Sequence, residues 1–228
     1  MEYDANGPVL NLLLMLGEQL SLAGVDAAFL PFPDGLLAFE HALQTLHSAV
    51  PSADTIYISL KDEGQKSKLQ LRLDNPSPLF PSQDHSDDNH HSHHQTPKLE
   101  IIPEQARQAR SGDVHLDALF AVHKICPDAK WLALGCDFPL LPPSALQQLV
   151  LEYRDPVTCF MKENGAAEPF LGIWASEALG HLHTHVESKP CDENVLRVVF
   201  EDLQGNLVKP LRQKWIVTPR RKTNGTEQ

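Results

Sequence analysis

The chain is short of cysteine, of positive charge and of long apolar runs, and each shortage removes a class of function. Its four cysteines, Cys126, Cys136, Cys159 and Cys191, are widely spaced and form no CxxC pair. A disulfide framework or a structural zinc site therefore has little support. Lys and Arg number 19 against 30 Asp and Glu, a formal net charge of -11. Neutralising nucleic-acid phosphates needs clustered cations, so no nucleic-acid partner is expected. The one strongly basic run, Arg220, Arg221 and Lys222, reads as a solvated tail. The apolar run at residues 9–16 is too short for a bilayer, which takes about 20 residues. The opening Met-Glu-Tyr-Asp has no charged-then-apolar leader pattern. These features lead to the expectation of a reduced, cytoplasmic protein that does not bind membranes.

What is present suits a globular enzyme-like domain. With 228 residues, 42% of them hydrophobic, one α/β domain, or one with an insertion, is the default. Residues 9–16 (VLNLLLML) form a continuous apolar run ending at Gly17, as in a strand buried on both faces. Residues 36–49 place Leu36, Phe39, Leu43 and Leu46 at helical spacing. Residues 55–60 (TIYISL) are β-branched and aromatic, a second strand. Further strands are expected at 99–102, 131–136, 156–161 and 170–174, and helices at 113–125, 144–153, 177–182 and 191–203. Pro143 suits the first turn of its helix. Strands alternating with helices predict a mostly parallel sheet covered on both faces, a single Rossmann-like three-layer α/β domain.

Residues 75–97 differ in kind. NPSPLFPSQDHSDDNHHSHHQTP has almost nothing to bury and reads as a disordered surface insertion. Its histidines, His85, His90, His91, His93 and His94, are a metal-ligating type, yet a spacer that tolerates histidine has the same composition. The domain is thus expected to span residues 1–220 with this interruption, and 221–228 to form a flexible tail.

In open parallel sheets, ligands bind outside the carboxyl ends of strands, near a switch in strand order. Asp137 directly follows the strongest strand signal, so its carboxylate points into that crevice. A carboxylate there can hold Mg²⁺ shared with substrate phosphates. Capping the next turn is the plainer use of such an aspartate, but the Asp-Phe-Pro-Leu-Leu-Pro-Pro context favours the metal.

At this point the chain resembles the MobA-like NTP transferases, whose best-known members are molybdenum cofactor guanylyltransferases. LALGCDFPLLPPSALQQL (residues 132–149) is similar to the family's strand, metal segment and following helix. AAEPFLGIW (166–174) is similar to its later acceptor segment, and FLPFPDGLLAFEHAL (29–43) to the start of its first helix. VKPLRQKWI (208–216) is similar to its late strand. The resemblance covers most of the chain outside the insertion, and the segments are specific only together. It implies transfer of a nucleoside monophosphate from an NTP, GTP or CTP, to a phosphorylated acceptor, with molybdopterin as one candidate. In that scheme Asp137 is the catalytic metal ligand, Gly17 and Gly24 bind the nucleotide, and Glu168 and Pro169 meet the acceptor.

The nucleotide half departs from the pattern. The family loop, roughly L-A-G-G-x-S-x-R-M-G-x-x-K, aligns without a gap on MLGEQLSLAGVDA, residues 15–27. Gly17 and Gly24 match, but Glu18 replaces the second glycine, Leu22 the arginine and Ala27 the lysine. A carboxylate about 4 Å from phosphate costs about 1 kcal/mol in water and about 4 kcal/mol at an effective dielectric of 20. One arginine at a phosphoryl-transfer centre supplies roughly 10³ to 10⁵ in rate. The family's Gly-Pro turn matches VHLDAL, residues 114–119, with neither residue, and its closing Asn/Thr motif is reduced to Thr223, Asn224 and Thr226.

Other candidates carry less. His181, His183 and His185 alternate near a helix end, where they are expected to point apart into solvent. His41 reads as a satisfied structural histidine. Two functions are therefore carried forward: a Mg²⁺-dependent nucleotidyltransferase, or a pseudoenzyme of the same fold that binds a phosphorylated ligand or a protein partner.

Overall fold

Strand β1 (Leu10–Met15) alternates strictly about a buried sheet. Leu10, Leu12 and Leu14 enter one core, while Leu13 and Met15 enter the other. This double burial is why the segment is apolar throughout rather than alternating. A computed structural model describes residues 8–17, 26–32, 35–74, 96–103, 113–188 and 195–217. The other strands are β2 (Thr55–Ser59), β3 (Lys98–Ile101), β4 (Lys130–Gly135), β5 (Val157–Met161), β6 (Ala167–Trp174) and β7 (Asn206–Val208).

They form one seven-stranded sheet in the order β3-β2-β1-β4-β6-β5-β7. All pairings are parallel except those of β6, which runs antiparallel to β4 and β5. The order steps outward from β1 to β3, then restarts on the other side of β1 with β4. The β1/β4 boundary is thus the switch point, where the connections leave to opposite sides and a crevice opens.

Two helical layers cover the sheet. On one face lie α1 (Ala38–Ala49) and α4 (Pro143–Leu151), with Phe39, Leu43, Leu146 and Leu149 fully buried. On the other lie α3 (Val114–Ile125), α5 (Ser176–Ser188) and α6 (Val195–Asp202), packed around Trp131 and Trp174. The three-layer α/β expectation is borne out.

Several boundaries move. Residues 61–74 carry no helical apolar stripe and no element is expected there, yet they form α2 (Glu63–Asp74), which buries only Gln65 and Leu69. The late strand expected at 208–216 is instead β7, Asn206–Val208, followed by a 3-10 turn, Gln213–Ile216. Pro210, without an N–H, cannot continue the ladder. The helix expected at 113–125 is α3, and VHLDAL, where the family has its Gly-Pro turn, forms its first half. Helix α5 extends to Ser188, so the three alternating histidines all lie on it, and His183 packs edge-on against Phe120 of α3, 5.4 Å between centroids. The His183 side chain is still 42% exposed, in keeping with the expected solvent-facing placement, and lies 3.5 Å from Glu187 on the same helix.

Residues 75–95 of the insertion, Glu18, Leu22, Gly24, Cys191 and the tail at 221–228 lie outside the described residues.

Candidate functional site

The parallel strands bring a set of polar groups to one edge of the sheet. The carboxyl ends of β2, β1, β4 and β5 lie there, and the start of the reversed strand β6 joins them. Gly17 leaves β1 with φ of +68°, a conformation that disfavours any side chain. Its carbonyl accepts a hydrogen bond from Gln65 Nε2 at 3.0 Å, and the same amide nitrogen donates to Asp26 Oδ2 at 2.7 Å. Gln65 Oε1 accepts the Lys61 N–H at 2.6 Å. One buried amide from α2 therefore ties together Gly17, Asp26 and the exit of β2. Asp26 also caps the 3-10 turn Ala27–Phe29, accepting from the Ala28 N–H at 3.1 Å.

The next strand exit is Cys136–Asp137. The Cys136 N–H donates to the Met15 carbonyl at 3.1 Å, which locks this exit to β1. The Cys136 thiol points to the Leu16 carbonyl at 3.1 Å and lies 3.9 Å from Asp137 Oδ1. Burial pushes that thiol well up from its ordinary range, and the carboxylates of Asp137 and Asp26 push it further. Cys136 is therefore a protonated, unreactive thiol. It also reports that Asp137 and Asp26 share one neighbourhood, so the mouth beside β1 is acidic. Asp137 itself is half-buried.

Across β4, the expected acceptor residues sit at the start of β6. Glu168 is buried, 7% exposed, and its carboxylate takes an ion pair from Lys162 Nζ at 2.9 Å. Pro169 uses its carbonyl to accept the Trp174 indole N–H at 3.0 Å, a structural contact. Lys162, at the end of β5, was not singled out in the sequence because an isolated lysine carries no pattern. Gly165, at φ +83°, and Asn164, which caps the Ala166 N–H at 3.1 Å, return the chain so that Lys162 faces Glu168.

The fourth component comes from α3. Asp113 caps this helix, accepting from the His115 and Leu116 N–H groups at 2.8 and 3.1 Å. Burial tends to raise the Asp113 carboxyl, but His115 and the two backbone donors outweigh it and hold it below the usual carboxylate range. The His115 ring stacks on Phe170 of β6, 4.6 Å between centroids at 30°. A Cβ built on Gly17 would lie 2.6 Å from His115 Nε2, so the imidazole occupies the space over the glycine. Sequence reasoning placed His115 only at a lost proline position; its approach to Gly17 depends on how α3 crosses the sheet.

On the α1 side of Asp137 lies a narrow recess lined by Phe32, His41, Thr45, Cys136, Phe138 and Leu141. His41 Nε2 is buried there without a hydrogen bond, while its ring packs on Phe32 at 5.2 Å. It is structural, as expected, but not satisfied.

No three His, Cys, Asp or Glu side chains are grouped for a metal ion among the described residues. Mg²⁺ does not require such a cage: it binds through one or two carboxylates with water and substrate phosphates completing the shell. Asp137, an oxygen donor at a strand exit, fits that use, whereas Asp26 is committed to Gln65 and Ala28.

This fold also occurs in solved structures. They include a nucleotidyl transferase. Molybdopterin-guanine dinucleotide biosynthesis protein A from Archaeoglobus fulgidus superposes with a TM-score of 0.56 at 12% identity, over 88% of this chain and 83% of its own. A nucleotidyl transferase from Methanothermobacter gives 0.58 at 12% identity, over 92% and 89%. The 4-diphosphocytidyl-2C-methyl-D-erythritol synthase of Anaerococcus prevotii gives 0.61 at 8% identity, over 95% and 94%. No protein-family model and no curated protein sequence matches the chain. No helix among the described residues is long and apolar enough to cross a membrane.

Proposed function

We propose that the protein is a nucleotidyltransferase that moves a nucleoside monophosphate from GTP or CTP to a phosphorylated small-molecule acceptor, with Mg²⁺ held by Asp137. The observation that carries this reading is the placement of Asp137. It follows β4 at the switch point, next to the exit of β1, and Glu168 with Lys162 stands at the neighbouring strand ends. Molybdopterin is one acceptor this reading allows.

Transfer of this kind is mostly positioning and charge neutralisation. Asp137 would hold the metal, which when bound would supply positive charge against substrate phosphates. Gln65 fixes where Gly17 and Asp26 stand, and so sets the base of the nucleotide-binding segment between them. Lys162 orients the Glu168 carboxylate, which can accept a hydrogen bond from an acceptor hydroxyl or amine.

A second reading rests on an observation of its own. Two carboxylates, Asp26 and Asp137, act on Cys136 at the mouth where a polyphosphate would enter. In the sequence, Glu18 replaces a loop glycine and positions 22 and 27 carry no cation. Together these favour a pseudoenzyme that keeps the fold as a binding or regulatory module for a phosphorylated ligand or a protein partner.

Calorimetric titration with GTP and CTP in the presence of Mg²⁺ separates the two. Micromolar binding that disappears in Asp137→Ala supports the transferase and removes the pseudoenzyme reading. Absence of heat with every NTP removes the transferase. A triple variant, Glu18→Gly, Leu22→Arg and Ala27→Lys, is then expected to restore binding if the loop alone is at fault.

A further inference from the structure

We infer that His115 is the side chain through which this site contacts the anionic part of its ligand, in place of the cations absent from positions 22 and 27. The inference rests on the reading of the site as a nucleotide site and adds the residue that makes it workable.

Three features of the geometry lead to His115. It stands at the switch point, its Nε2 against Gly17, the first residue after β1. Its ring is held from two further sides. Phe170 stacks on one face, and Asp113 Oδ1 lies 3.7 Å from Nδ1. That separation is too long for a good hydrogen bond but close enough for the carboxylate to orient the ring. Only 14% of the side chain is exposed, so little rotamer freedom remains to be lost on binding. Nε2, by contrast, makes no hydrogen bond among the described residues, and it is the ring atom turned towards Gly17.

The charged groups of the neighbouring strand ends and of α3 frame this role. Lys162 is already engaged by Glu168 at 2.9 Å. Facing the imidazole are the Gly17 backbone from β1 and the neutral Phe170 ring from β6. On its own helix Asp113 lies beside it, and Asp117, buried, is half a turn further on. An imidazole there can donate an Nε2–H to a phosphate oxygen. The arrangement explains why position 17 is glycine even though the rest of the loop has changed, since any Cβ would meet Nε2.

The test uses the full chain and GTP or CTP with Mg²⁺. Histidine Cε1–H resonances are followed by NMR, with that of His115 assigned by its loss in His115→Gln and again in His115→Asn. Nucleotide is expected to move this resonance. His115→Gln and His115→Asn should each weaken nucleotide affinity roughly tenfold, the loss of one good hydrogen bond to a phosphate oxygen. If nucleotide binds while the resonance stays still, and both variants bind it as tightly as wild type, the inference is overturned and the nucleotide site stands. If neither nucleotide nor inorganic pyrophosphate moves the resonance or gives heat, both fall together.

Discussion

At the scale of single residues, buried polar groups carry the consequences. Glu40 of α1 is 1% exposed, accepts the Leu37 N–H at 2.7 Å, and takes Arg72 Nε at 2.7 Å from α2. Arg72 is the cation that compensates it, and its own pKa is raised by that hydrogen bond and charge. Arg72→Met is expected to cost about 2 kcal/mol in urea unfolding, since it strips a charged partner from a buried carboxylate. Glu40→Gln, which removes the charge and keeps the shape, should lose less. Gly17 offers a sharper test. Gly17→Ala forces a side chain into positive φ, about 1 to 2 kcal/mol, and also drives a methyl into His115. In a His115→Ala background the second part disappears, so a double-mutant cycle should show coupling of at least ~0.5 kcal/mol. Strict additivity would mean that the imidazole does not cover the glycine.

At the scale of elements, the contact between α3 and α5 is set to respond to pH. His123 of α3 is half-buried against Gly180, and His183 of α5 lies close enough to act on it. Burial lowers the His123 pKa first, the like charge of His183 lowers it further, and Asp128 opposes both. A histidine with a lowered pKa binds its proton more readily in the unfolded chain. The associated stability is therefore present above about pH 6.5, the unperturbed value, and is lost as pH falls towards the lower folded-state value. The thermal midpoint should drop on acidification through this window, and His123→Gln should flatten the drop. An unchanged slope in that variant would contradict the pairing of α3 with α5 described above.

At the scale of the whole molecule, the composition of residues 75–95 offers the two cores little to bury. That segment is Pro-, Ser-, Asp- and His-rich, with almost no apolar side chains to bury. Replacing residues 78–95 with a Gly/Ser linker of about eight residues is expected to leave the melting temperature within about 2 °C, because lengthening or shortening a loop changes its closure entropy only slowly. A large loss of stability would show that the insertion packs on the domain. The same variant should lose any affinity for zinc or nickel, if the histidine run has one.

The sequence by itself determined the layers. Continuous apolar strands at β1 and β4 require burial on both faces, and helices spaced between them require a parallel sheet, so the fold class was readable from residues 9–16 and 131–136. Asp137 was legible for the same reason: an aspartate directly after such a strand can only emerge at its carboxyl end. Tertiary structure decided what periodicity does not encode. Helix α2 has no apolar stripe and exists because Gln65 and Leu69 are held at the strand ends. Lys162 meets Glu168 only because β6 runs backwards beside β5, and His115 reaches Gly17 only because α3 crosses β1 at its exit. Gln65 and His115 lie 48 and 98 positions from Gly17 in the chain, and such contacts come from the packing of whole elements, which no local pattern carries.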